Sequence, residues 1–178
     1  ELEKKGHRVD ILSNIKSTNL KPNYIFADVT DRETMLKVVP KYEMVYHLAG
    51  LLGTSELITK AYEASRINIL GTVNVLDAAL QSKTKVVHIT KPNCRLNTYS
   101  ITKYAGESFA KMYQKEFGLP IVSIRWYNVY GQNQSFHCQK VVPFFIRWAL
   151  KNEPIQIWGI EEQTMDLNIC NRCCMSNN

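Results

Sequence analysis

Short runs of branched and aromatic residues alternate with stretches of helical periodicity along most of this 178-residue chain, and that alternation restricts the fold more than any other feature. Strand-like runs read "HRVDIL" (7–12), "YIFADV" (24–29), "YEMVYHLAG" (42–50), "KVVHIT" (85–90), "IVSIRWYNVYG" (121–131) and "IQIWG" (155–159). Between them lie "RETMLKVVP" (32–40), entered through the helix-start pair Thr30-Asp31, then 55–82, then 99–118, closed by Gly118 and Pro120, and "VVPFFIRWALKNE" (141–153). Near-continuous apolar strands separated by helices predict an α/β fold, a doubly wound parallel sheet covered on both faces. Such sheets hold ligands beyond the carboxyl ends of their strands.

Composition narrows the class further. With 45% hydrophobic and 21% charged residues the chain has the balance of a soluble globular domain large enough for a real core. No apolar run approaches the roughly 20 residues of a membrane-spanning helix. The net charge of +6 comes from 22 basic against 16 acidic residues scattered singly, which suits small anionic ligands and gives no stripe for nucleic acid. Five cysteines, four of them in the last quarter, lack a framework spacing, so a reducing, cytoplasmic compartment is expected. Cys170-x-x-Cys173 has zinc-like spacing without a clear set of four ligands, and no metal is expected.

Two features suggest chemistry. In the helix expected over 55–82, Leu57, Ala61, Ala64, Asn68, Gly71, Val75 and Ala79 share one face, and an amide in that apolar row needs specific partners, because burying it bare costs a few kcal/mol. In "NTYSITKYAGES" (97–108), Tyr99 and Lys103 stand four apart and project from one side of a helix that follows the strand "KVVHIT". Taken alone, Tyr-x-x-x-Lys is a common surface pair. His47 and His88, set among apolar neighbours, read as satisfied core histidines.

"YSITK" after "VVHIT", together with "VYHLAG", "INILGTVNVLDAA", "IRWYNVYG" and "PIQIWGIEEQTMD" in this order, resembles the extended short-chain dehydrogenase/reductase family, in particular its nucleotide-sugar epimerases and dehydratases. The resemblance runs from Glu1 to Asp166. It implies a Rossmann-like sheet that here lacks the first strand with its Gly-x-x-Gly-x-x-Gly turn, and most of the small substrate lobe. The chain looks cut at its front and altered after Asp166. On this reading residues 1–150 form a partial NAD(P)-binding domain, and 151–178 the start of the substrate lobe with an irregular tail.

The resemblance also assigns residues. Tyr99 is the base that takes the sugar hydroxyl proton, and Lys103 tunes it and holds the nicotinamide ribose. A free phenol ionises near pH 10, so acting near neutrality needs roughly 4 kcal/mol of preferential phenolate stabilisation. The partnering hydroxyl is Thr90, with Thr98 as substitute, although Lys91 occupies the place where the family carries that hydroxyl. Asp28, Val29, Leu48, Ala49, Gly50, Asn68 and Ser13 line the cofactor, while Asn128, Val142 and Pro143 line the nucleotide sugar. Ser13 stands where NAD-selective enzymes carry an acid, and with Lys16 nearby this leaves both NAD and NADP open, NAD being the commoner.

Pro92 and Asn93 replace the Asp-Glu pair of the dehydratases, which favours epimerisation, or ketosugar reduction, over dehydration. A homodimer through the helices at 55–82 and 99–118 is implied by the resemblance alone. The shortened loop "KPNCRLN" and the unfamiliar tail motivate a rival reading, a dinucleotide-binding module without catalysis or an inactive fragment of such an enzyme.

Overall fold

A computed structural model describes residues 2–16, 23–53, 55–91, 96–131, 134, 140–157 and 167–169. The chain divides by its internal contacts into two compact units, Glu1–Arg125 and Trp126–Asn178.

In the first unit five parallel strands form two ribbons. Strands β1 (Ile11–Ser13) and β2 (Tyr24–Phe26) pair in one, and β3 (Met44–His47), β4 (Lys85–Thr90) and β5 (Ile121–Arg125) in the other, in the order β3-β4-β5. The registers Val45↔Val86, His47↔His88 and Thr90↔Arg125 align the carboxyl ends of β3, β4 and β5. Strands β1 and β3 do not pair with each other, so among the described residues each is paired on one side only. The architecture is the α/β, Rossmann-like parallel fold that the alternation predicts.

Helix α1 (Arg32–Val38) starts where Thr30-Asp31 indicates: Asp31 caps it by accepting the Thr34 N–H at 3.1 Å. The stretch 55–82 is not one helix. A 3-10 turn at Ser55–Leu57 precedes α2 (Ala61–Ser65), a π-helical segment Arg66–Leu70 and α3 (Gly71–Ser82). Six of the seven residues of the expected face are nevertheless buried, Ala61 being the exception. Helix α4 (Thr98–Phe117) is capped by Asn97, whose side chain accepts the Ser100 N–H at 2.9 Å, and ends on Gly118 in the left-handed region at φ 60°, which glycine adopts without strain.

The core gathers α1, α3, α4 and the strands around Met35, Val39, Val75, Leu76, Val86, Ala110, Leu119 and Ile121. It covers one face of β3-β4-β5. Among the described residues of this unit Met44, Tyr46 and Val122, which alternate to the opposite face, are exposed.

The second unit contains β6 (Asn128–Tyr130), parallel to β7 (Leu167–Ile169), and α5 (Val141–Leu150). The division falls after Arg125, and β6 pairs with β7. "IVSIRWYNVYG" is accordingly two strands, Ile155–Ile157 is not a strand, and β7 lies in the tail read as irregular. Among the described residues no helix is long and apolar enough to cross a membrane.

Candidate functional site

Tyr99 occupies the first turn of α4 and Lys103 the next. The inward row of this helix is Ser100, Lys103, Glu107, Ala110 and Tyr113, so Lys103 is carried into the protein and is only 5% exposed. Its ammonium approaches Gly50, just past the end of β3: a Cβ built on Gly50 would lie 3.9 Å from Nζ and 3.1 Å from Asn68 Oδ1. Burial lowers the Lys103 pKa to about 8. Tyr99 is half-buried, and burial raises its phenol above the ordinary 10. In the protein alone the phenol is therefore held neutral.

Asn68 meets the requirement its position sets. Its Oδ1 accepts the Leu51 N–H at 2.7 Å, and its Nδ2 donates to Leu51 O and to Thr102 Oγ1, both at 3.0 Å. One amide thus fixes the loop after β3 to α4 one residue before Lys103. Its own carbonyl accepts the Thr72 hydroxyl at 2.7 Å, which satisfies an acceptor in the π-helical segment. Such segments recur at functional sites.

Thr90 ends β4, and its hydroxyl points at α4. Oγ1 lies 3.1 Å from Glu107 Oε2 and 3.4 Å from Lys103 O, with the residue 2% exposed. Glu107 also takes Arg125 Nη2 at 2.6 Å, Arg125 Nε at 3.3 Å and Lys111 Nζ at 2.7 Å. The Arg125 guanidinium is the main cause that holds Glu107 down to about 2. This cluster ties α4 to β4 and β5, and Arg125 serves the scaffold. Thr98 is the first residue of α4, where its carbonyl accepts the Thr102 hydroxyl at 2.9 Å.

Beneath Lys103 the rings of His47 and His88 stack at 5.8 Å. Burial lowers both, to about 3 and about 4, with the Lys103 charge adding to the effect. His47 Nε2 lies 2.9 Å from Thr72 Oγ1; the single hydroxyl proton goes to Asn68 O, so His47 donates. His88 departs from the expected satisfied histidine: both ring nitrogens are buried without a partner among the described residues.

The other residues assigned to the cofactor sit at or just past strand ends. Ser13 closes β1 and accepts the Ile15 N–H at 3.2 Å. Asp28 follows β2. Its Oδ1 takes the N–H and hydroxyl of Thr30, both at 2.8 Å, and its Oδ2 takes Asn14 Nδ2 at 2.8 Å; the Thr30 backbone bond is the main cause lowering its pKa. Val29 turns inward instead: it is buried, its carbonyl takes Asn74 Nδ2 at 3.0 Å, and a Cβ on Gly71 would come within 2.7 Å of its Cγ2. Leu48 is exposed and Ala49 packs on the core.

In the second unit Asn128 opens β6, while Val142 and Pro143 lie in the first turn of α5, Pro143 buried. All five cysteines, with Pro92 and Asn93, lie outside the described residues. Among the described residues no cluster of three or more His, Cys, Asp or Glu side chains is placed to hold a metal ion.

Three participants escape the sequence reading. Thr102, which joins Asn68 to α4, and Asn14, which holds Asp28, are ordinary polar residues whose roles come from non-local neighbours. Glu107 was legible in principle, as a carboxylate on the inward row of α4, one turn beyond Lys103.

Comparison with known proteins places this geometry. The model of the NAD dependent epimerase/dehydratase family matches residues 1–168. The UDP-N-acetyl-alpha-D-glucosaminuronate decarboxylase of Bacillus cytotoxicus is 29% identical over 92% of this chain and 60% of its own length. The crystal structure of the UDP-glucose 4-epimerase of Thermotoga maritima with UDP-glucose superposes with a TM-score of 0.89 at 22% identity, over 99% of this chain and 66% of that one. That of the UDP-glucuronic acid 4-epimerase of Bacillus cereus, in complex with UDP-glucuronic acid and NAD, gives 0.76 at 26% identity, over 86% and 54%. The chain thus spans about 60% of the length of the decarboxylase.

Proposed function

Because the chain belongs to the NAD dependent epimerase/dehydratase family, we propose that the protein carrying it is an NAD-dependent nucleotide-sugar epimerase with Tyr99 as its base. The observation that carries this reading is the position of Lys103, a buried ammonium held one helical turn from Tyr99 and beside Gly50, at the carboxyl end of a parallel strand.

The donor set fits a dinucleotide. Gly50 has no side chain, which lets the Asn68 amide and the Lys103 ammonium close in on the backbone just past β3. Asp28 presents a carboxylate fixed by Thr30 and Asn14, suited to accept from an adenine or ribose donor. Lys103 would donate to the nicotinamide ribose, and Asn68 ties the loop at Leu51 to helix α4 beside it. Ser13 brings no carboxylate against a 2′-phosphate, which leaves NADP open beside NAD, the cofactor proposed here.

Bound NAD supplies the acceptor and returning donor of a sugar hydride, and its positive ring favours phenolate. Tyr99, held neutral by burial in the free protein, then takes the proton of the sugar hydroxyl and gives it back after the sugar has turned. Asn128, Val142 and Pro143 are assigned to the nucleotide sugar by resemblance, and a homodimer on the same ground. Pro92 and Asn93, in place of two acidic groups, support epimerisation over dehydration.

A second reading, a dinucleotide-binding module without turnover, draws support from Thr90, whose hydroxyl is committed to Glu107. The test is to incubate the protein with NAD and a panel of UDP- and dTDP-sugars and follow the sugars by proton NMR. Appearance of a stereoisomer is expected. A 4-keto-6-deoxy product points to dehydration, and NAD binding with every sugar unchanged establishes the second reading.

A further inference from the structure

The end of β4 carries two neighbouring groups with opposite allegiances. Thr90 is buried, and its hydroxyl proton is taken up between Glu107 Oε2 and Lys103 O. The next residue, Lys91, sends its ammonium to the other side, where Nζ stands 5.1 Å from the centroid of the Tyr99 ring. We propose that Lys91, in place of a hydroxyl at this strand end, is the group that positions Tyr99 and stabilises its phenolate. The inference rests on the reading of Tyr99 as base.

A cation within about 6 Å of an aromatic face is attracted by the ring quadrupole. That attraction exists for the neutral phenol and fixes where the ring lies. On ionisation the ring and its oxygen acquire a full negative charge, so the same ammonium gains more from the phenolate than from the phenol. An ammonium has no acceptor lone pair, so Lys91 cannot relay a proton as a hydroxyl does, and its contribution is electrostatic.

The other charged groups around the site leave this role to a lysine. Lys103 lies on the same helix, one turn on, with its head toward Gly50. His47 at the end of β3 and His88 on β4 stack beneath Lys103, and burial keeps both neutral near pH 7. Glu107 is turned to Arg125, Lys111 and Thr90. Among these side chains, the ammonium seated on the Tyr99 ring is that of Lys91.

The experiment is a pH titration of the chain labelled with 13Cζ-tyrosine, Tyr99→Phe identifying the resonance and circular dichroism reporting the fold. The informative contrast is Lys91→Arg, charged throughout, against Lys91→Met and Lys91→Gln, two neutral variants of similar length. Tyr99 is expected to ionise at lower pH in Lys91→Arg, with an ionisation constant about tenfold or more above that of either neutral variant. Thr90→Val is expected to leave the titration in place. Equal titration of the arginine and neutral variants overturns the inference, as does a shift of the same size in Thr90→Val. Either result leaves Tyr99 as base intact, because that reading stands or falls on turnover.

Discussion

Replacing Lys103 by methionine stabilises the free protein at neutral pH, although it removes a residue on which the site depends. Lys103 is 5% exposed, and burial brings its pKa from 10.5 to about 8. The folded state therefore binds the lysine proton less tightly than the unfolded chain does. Below about pH 8 that difference destabilises the fold in full, by about 3 kcal/mol at 1.36 kcal/mol per pH unit, and it fades as pH rises toward 10.5. Methionine matches the length and apolar surface of the stem, so packing changes little. Lys103→Met should thus gain about 2–3 kcal/mol in urea unfolding at pH 7, followed by circular dichroism, and almost nothing at pH 10.5. A variant no more stable than wild type at pH 7, or a gain of equal size at both pH values, refutes the claim that the site holds this ammonium against its own solvation.

Two further substitutions test how the site is supported. Glu107, lowered from 4.5 to about 2 chiefly by Arg125, contributes stability that is present above pH 4.5 and lost as pH falls toward 2. Glu107→Gln should therefore cost about 3 kcal/mol in urea unfolding at pH 7 and less than half of that at pH 3; a cost independent of pH contradicts the assignment. Gly71→Ala places a Cβ 2.7 Å from Val29 Cγ2 and should cost about 1–3 kcal/mol, mostly recovered when Val29→Ala is added. Strict additivity of the two changes, measured by thermal melts, sinks the packing argument.

Local patterns in the sequence carried much of this architecture. The alternation of runs gives the parallel α/β class. Asp31 and Gly118 mark helix ends through their own side chain and backbone, and the apolar row from Leu57 to Ala79 gives the buried face. What stayed hidden depends on partners distant in the chain. Whether 128–130 continues β5 is decided by pairing with Leu167–Ile169, and no window around Asn128 contains that information. The π-helical segment at Asn68 goes with side-chain bonds to Leu51 and Thr102, 17 and 34 residues away. The hydroxyl of Thr90 goes to Glu107, 17 residues away, and the ring of Tyr99 to Lys91. Spacing brings Tyr99 and Lys103 to one side of α4, but the pairing of Glu107 on the same helix with Arg125, 18 residues on, is not visible in any local window.

Tyr99 as the base is tested most directly by the turnover of nucleotide sugar in Tyr99→Phe, set beside its affinity for NAD. Loss of the hydroxyl should reduce kcat by about 10²–10⁴-fold while the dissociation constant for NAD stays within about threefold, since Lys103, Gly50 and Asp28 are untouched. Undiminished turnover in the phenylalanine variant contradicts the account.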